Sequence, residues 1–520
     1  MAPVRARSWA PGALFGLVGG GLGLLQLLVV TLTPGVWRPL AFSSDDLHYY
    51  VLPALNLAQG AGSTFDGLQP TNGYQPLWFL VLAAAFRVVG VDRAGAFVVV
   101  MALLVALWGL AVRLLWRLRP FLTTTGAAAG LAVLLLHGRW WSGCENALVG
   151  VLLLVLVDQV LRRGGLARVP TMRDAGIVGT LLALLVLGRL DTAVLVGLLG
   201  AYGLWRWRSV PRVAAVVGPA LVTLGVYAAV NHALFGAALP VSGLAKQLGP
   251  FGDNLPVIGD FLLYGTLGPL PLFFGATVLV VGAWAVRLVG PSSSLGTVIA
   301  GLLVAQVVQV GWYAVTTSGW ELQSWYFSCG VMALVLAVGV VVSRLSVMRG
   351  PAVWVAPAVG VVVVGLLVVT AAHAVGDVLV RDPSASPVTR DIDAGLWADR
   401  TLPPGSVLAM GDWAGTLGVT TRVPVVQLEG LMGSPAYLAA LRDGTVPPYL
   451  SDLGVTHYAR LFHPGEPFSC RVTEPWFGVS PKVPLDLCGR PVVYRGDVRG
   501  VVELVVWDVR GALRGDMQAR

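Results

Sequence analysis

Residues 41–79 read AFSSDDLHYYVLPALNLAQGAGSTFDGLQPTNGYQPLWF. This polar, aromatic and Gly-rich stretch follows the first run of membrane length, Gly12–Leu32, and closes at Pro76, where apolar sequence resumes. Two adjacent carboxylates, Asp45 and Asp46, open it. Ionisable groups kept beside a membrane are costly and are therefore expected to have a function. Side chains at i and i+1 diverge by about 100° on a helix, so one acid can face a ligand while its neighbour caps or orients.

The bulk numbers exclude an ordinary soluble protein. The chain has 520 residues, 56% hydrophobic and 12% charged, with mean hydropathy +0.77. Apolar runs recur to about Ala372, many near the ~20 residues that cross a bilayer. Two regions are expected, a membrane region over 1–375 and a C-terminal domain of ordinary size over 376–520. The net charge of +8 does not imply nucleic acid, because the arginines cluster in short loops between apolar runs. Only Lys246 and Lys482 are lysines, a bias that points to a GC-rich bacterial genome. The first run is long and has no small-x-small site before Thr33, so it reads as a retained helix rather than a signal peptide.

After the first loop the apolar runs are Pro76–Val112, Thr124–His137, Asn146–Leu161, Ala175–Gly188, Thr192–Trp205, Val213–Val230, Thr266–Val286, Gly296–Val315, Phe327–Val342 and Ala352–Ala372. With Gly12–Leu32 this gives about eleven crossings if Pro76–Val112 crosses once. Arg87 and Arg93 interrupt that long run, so 76–90 is expected to be interfacial or re-entrant, with 94–112 spanning. The basic loops then fall on one side. Arg113, Arg117, Arg119, Arg162, Arg163, Arg206 and Arg208 are among the inner residues, whereas Arg38, Arg139, Arg189 and Lys246 are the outer ones. By the positive-inside rule the N-terminus is cytoplasmic and the C-terminal domain extracytoplasmic, in a multi-pass plasma-membrane protein.

That topology gathers polar groups on the outer face: the loop 34–75, HGRWWSGCEN at 137–146, GRLD at 188–191, 231–247 and 316–326. One of Asp45 and Asp46 is a candidate general base for an acceptor hydroxyl. Ser43 and Asp46 also fit a capping box, in which acids merely open a helix. His48 and Tyr49 beside the acids, Asn72 and Tyr74 in TNGYQPLW, and Glu145 in WSGCEN are candidate substrate-binding residues. Arg189 is a candidate phosphate ligand and Asp191 a substrate ligand, although the two could simply pair. Lys246 lies where no topology signal needs a cation, and could hold a lipid phosphate as it leaves. Trp325 and Tyr326 could stack on a sugar ring, or belong to an aromatic belt. No HExxH, Walker or clustered Cys/His motif is present.

The C-terminal region alternates short elements. A helix is expected near 391–400, strands at 407–412, 423–430, 456–461 and 501–509, and a second helix near 435–443. Cys470 and Cys488 both fall in this external domain and are expected to form a disulfide. Cys144 and Cys329 read as buried thiols.

These residues resemble a known family. SDDLHYYVLPALNLAQGAGSTFDGLQPTNGYQPLW is similar to the first external loop of bacterial GT-C glycosyltransferases, membrane enzymes that use polyprenyl-phosphate sugars. WSGCENAL, LGRLDTAVL, NHALFGAALPVSGLAK and WYF at 325–327 continue the resemblance. LPPGSVLAMGDWAGTLG, VVQLEGLM and Tyr437 extend it into the C-terminal domain. Gln75 stands where the family often has His. The resemblance implies a helical polytopic membrane protein of GT-C-like fold with a small C-terminal α/β domain. It implies inverting transfer of a sugar from a polyprenyl-phosphate donor to a cell-envelope glycan, glycolipid or protein hydroxyl. Asp45 or Asp46 would then be base, with Lys246 or Arg189 on the phosphate. Some relatives hold a divalent metal (Mg, Mn or Ca) near the loop acids, so Asp45 and Asp46 are candidate ligands. Arabinofuranose and mannose are the leading sugars. A lipid-linked sugar transporter or flippase, or a non-catalytic glycan-binding scaffold, are the rival readings.

Overall fold

The computed structural model describes residues 10–42, 44–137, 139–264, 270–320, 322–347, 387–462, 466–475, 481–496 and 503–510, with positions 365, 369 and 372. Helices dominate its first two thirds. Arg93–Arg117, Val210–Phe235, Ser294–Thr316 and Trp325–Ser346 are each long and apolar enough to cross a membrane. Shorter helices cover Thr124–His137, Asn146–Arg162, Met172–Gly188, Ala193–Arg206 and Leu270–Val289, as the apolar runs lead one to expect. The last expected crossing, 352–372, lies almost wholly outside the described residues.

The long run after the first loop is split. A helix Pro76–Val89 ends on Gly90, whose φ of +71° is left-handed, and Asp92 caps the next helix by accepting from the Gly95 amide at 2.7 Å. The first piece packs on the loop helix His48–Ala58.

Small residues bring the bundle helices close. A Cβ on Gly126 would stand 2.0 Å from Ser343 Oγ and 2.3 Å from the Gly339 carbonyl. Thr124–His137 and Ser328–Ser346 therefore meet backbone to backbone, the packing favoured where no hydrophobic force drives helices together. One end of the bundle carries structural ion pairs. Fully buried Asp158 binds Arg162 at 2.6 Å and Arg117 at 3.0 Å, tying together the C-terminal ends of two helices, and Arg163 meets Asp174 at 2.5 Å. The opposite end carries the loop 34–75.

The C-terminal α/β domain is built on a five-stranded sheet, β1 Leu408–Met410, β2 Val425–Gln427, β3 His457–Phe462, β6 Val492–Gly496 and β7 Glu503–Asp508. Its order is β2-β1-β3-β7-β6, with β1 parallel to β2 and β3, and β7 antiparallel to β3 and β6. Helices Pro387–Thr401, Ala414–Thr420, Pro435–Asp443 and Val446–Asp452 connect and cover it. A side hairpin, β4 Arg471–Glu474 with β5 Val483–Asp486, carries the Cys470–Cys488 disulfide. From β1 the chain moves to one neighbour, β2, and then crosses to the other, β3. The carboxyl ends of β1 and β3 thus flank a topological switch point, where open α/β sheets form their crevices.

Candidate active site

The loop acids separate because of local geometry. Asp45–Leu47 forms a single 3-10 turn that runs into the helix His48–Ala58, and the two carboxylates leave it in different directions. Asp45 reaches into the C-terminal domain. Its Oδ2 accepts from the Gly415 amide at 3.0 Å, and its Oδ1 accepts from the Thr416 amide and hydroxyl, both at 2.7 Å. It therefore caps the helix Ala414–Thr420 from another part of the chain. Burial raises its pKa, but the His48 bond and charge, with the Thr416 bonds, outweigh that and hold the carboxyl below its ordinary value.

Asp46 has the opposite environment. Its carboxylate makes no hydrogen bond among the described residues and faces a cavity of about 700 Å³. Burial, then the Asp45 charge, push its pKa up to about 6, with Lys246 opposing in part. A cavity-facing carboxylate of that pKa is poised to accept a proton near neutral pH.

Only a glycine allows the Asp45 contact. A Cβ on Gly415 would lie 2.7 Å from both the carbonyl and Oδ2 of Asp45. Gly415→Ala is expected to strain the junction by about 1–3 kcal/mol, lowering the melting temperature and speeding proteolysis between the two regions. Wild-type values for both would remove the clamp as a structural feature.

Cations face the acids. Lys246 donates to Tyr326 Oη at 2.7 Å and lies over the Trp320 and Tyr326 rings at 5.1 and 5.3 Å. Burial lowers its pKa, but Tyr326, Asp46 and Glu429 more than restore it, so it stays charged. Arg189, 2% exposed, is neutralised locally: it meets Glu145 at 2.7 Å and both oxygens of Asp191 at 3.1 Å through Nε. Tyr50 donates to Glu145 at 2.7 Å and Tyr313 to Asp191 at 2.8 Å, completing the network. Glu145 and Arg189 line the cavity, as do Tyr49, Tyr74, Trp325 and Tyr326.

Three residues singled out in the sequence lie behind the wall. His48 is buried against Phe97 with Nδ1 2.9 Å from the Asp45 carbonyl and 3.4 Å from Asp45 Oδ1. Asn72 accepts from the Val241 amide at 2.9 Å and donates to Asn231 and the Leu239 carbonyl at 3.3 Å, so it ties the loop tip to the Lys246 loop. Asp191 holds Arg189. Sequence reading assigned no role to Tyr50, Arg139, Asp412, Trp413 or Glu429, which also line the cavity. The last three had a signal, since MGDWAG and VVQLEG fall where strands end. Asp45 has its oxygens occupied, and among the described residues no three His, Cys, Asp or Glu side chains converge as a metal-ligand set.

No protein-family model and no curated protein matches the chain. Its fold is similar to that of crystal structures of ArnT from Cupriavidus metallidurans. The form bound to undecaprenyl phosphate matches with a TM-score of 0.52 and 13% identity, over 97% of this chain and 99% of that one. The apo form matches at 0.50 and 13%, over 94% and 98%. The likeness is one of fold, and it covers nearly the whole chain.

Proposed function

We propose that this chain is an inverting glycosyltransferase of the plasma membrane, acting at the outer face on a polyprenyl-phosphate sugar. The observation that carries the reading is the Asp46 carboxylate, without a hydrogen bond among the described residues, sharing one cavity with Lys246. Asp46 takes the proton of an acceptor hydroxyl. The freed oxygen attacks the anomeric carbon, the bond from that carbon to the phosphate oxygen breaks, and its electron pair leaves with polyprenyl phosphate. Lys246 donates to the departing phosphate. Arg189, already matched by two carboxylates, holds the wall rather than the phosphate. The C-terminal domain over 376–520 and the loop 34–75 close the outer side of the site, the membrane region 1–375 supplies the rest, and the arginine-rich end of the bundle faces the cytoplasm.

The likeness to a fold solved with undecaprenyl phosphate supports a donor of that class. Its tail would lie among lipids and helices while its phosphate stays at the interface. The acceptor is a hydroxyl of a cell-envelope glycan, lipid or protein. The test is transfer from radiolabelled polyprenyl-phosphate arabinofuranose, mannose and related sugars to envelope acceptors by the purified full chain. Lys246→Met is expected to raise the donor KM by about tenfold or more, the loss of a charge-assisted hydrogen bond. No transfer from any donor in the panel, with a folded protein, would remove the reading.

A further inference from the structure

The cavity has a second wall that the donor chemistry does not use. It is made by the C-terminal domain at the carboxyl ends of β1 and β2, where Asp412 and Trp413 follow the first strand and Glu429 the second. Trp413 holds φ +57°, ψ 35°, a left-handed conformation that a bulky residue rarely adopts. Such an outlier persists only where the surroundings impose it, and it invites a functional explanation. The turn it makes sends the helix Ala414–Thr420 towards Asp45 and leaves Trp413 37% exposed at the cavity. Glu429 is only 9% exposed. Gln427 donates to its Oε2 at 2.9 Å, while Oε1 has no hydrogen bond among the described residues.

We infer that this crevice is the acceptor subsite and that it takes an uncharged sugar ring, stacked on Trp413 with its hydroxyls bonded to Asp412 and Glu429. The inference rests on the transferase reading and names the class of its acceptor. An aromatic face offers a flat apolar surface to the C–H side of a pyranose or furanose. Paired carboxyls suit hydroxyl groups, which both donate and accept. Asp45, ionised beside them, disfavours an anionic ligand, so phosphate is left to the Lys246 side and a uronate is excluded. Burial and the nearby acids raise both carboxyls, Asp412 to about 7, so each can donate as well as accept near neutral pH. The crevice and Asp46 open onto one cavity, which brings a ring held at Trp413 to the base that would deprotonate it.

The experiment uses the full-length protein in nanodiscs and three probes: α-1,6-mannotriose, α-1,5-arabinofuranotriose and trigalacturonate. Saturation-transfer NMR and calorimetry read binding, while release of radiolabelled sugar from the polyprenyl-phosphate donor reads the donor side separately. Trp413→Gly removes the ring yet accommodates the left-handed turn, so the fold is kept; Trp413→Phe restores an aromatic face. A neutral trisaccharide should bind wild type and Trp413→Phe, bind Trp413→Gly about tenfold or more weakly, and trigalacturonate should not bind. Equal binding to wild type and Trp413→Gly, no binding of either neutral probe, or preferred binding of trigalacturonate overturns the subsite. Trp413-dependent sugar binding in a protein that turns over no donor supports the subsite and sinks only the transferase reading.

Discussion

Asp46→Asn is expected to slow glycosyl transfer by about 10²–10⁴-fold, the usual contribution of a positioned general base, while making the protein slightly harder to melt. The two effects share one cause. Burial and the Asp45 charge raise the Asp46 carboxyl from 3.8 to about 6, so the folded state disfavours its charged form. The sign follows by linkage: this acid binds its proton more tightly when folded, so it detracts from stability above pH 6 and ceases to do so below its unfolded value. Replacing it with a neutral isostere removes that penalty, worth on the order of 1–2 kcal/mol for a partly exposed group. In wild type, kcat should rise with pH and level off above about 6, because only the carboxylate can accept the proton. Initial rates over pH 4.5–8 with calorimetric melting of both proteins check this. Undiminished transfer by Asp46→Asn removes Asp46 as the base.

Asp45→Asn serves as the contrast. Its carboxyl is held below the ordinary value, so its contribution to stability is present above the unfolded pKa and lost as pH falls through the folded one. The same chemical change in the neighbouring residue should therefore loosen the protein rather than tighten it.

Arg189→Met is expected to carry the largest stability loss, about 3–5 kcal/mol, since it strands two carboxylates in the interior. Glu145 and Asp191 would each lose their cation, and Tyr50 and Tyr313 would keep donating to acids with no counter-charge. Arg189→Lys should recover only part, because an ammonium cannot reproduce the fork that spans Asp191 and Glu145 together. Combining Arg189→Met with Glu145→Gln and Asp191→Asn should restore most of the melting temperature, because no net buried charge remains. Thermal unfolding in one detergent measures the set; an Arg189→Met protein as stable as wild type would mean the network bears little of the fold.

Much of this site could be read from the order of the residues, and the reason it could is local. The two loop acids diverge because adjacent side chains on a turn must, so one cap and one cavity-facing acid was the natural expectation. Which helix receives the cap was not readable. The contact joins residues 370 apart, and Ala414–Thr420, with two glycines and two threonines in seven residues, has little helix propensity of its own. It is held from outside, by Asp45. Asn72 illustrates the converse: an amide in a polar loop reads as a ligand for hydroxyls, but its partners are the backbone at 239–241 and Asn231, which only the folded loop brings near. Arg189 and Asp191 could be paired by eye, whereas Glu145 joins them from a different helix. Strand ends carry no periodicity, so nothing in the pattern of MGDWAG or VVQLEG says that they open onto the membrane-side acids.

The clasp between Asp45 and the Gly415–Thr416 pair also limits how the gene can be recombined. Each half of the chain supplies one side of a lock whose key is a single glycine, so a chimaera that takes its tail from a distant homologue inherits a misfit at residue 415 unless that homologue also has no side chain there. Sequence drift on either side is then coupled, and the tail should descend together with its loop rather than travel alone.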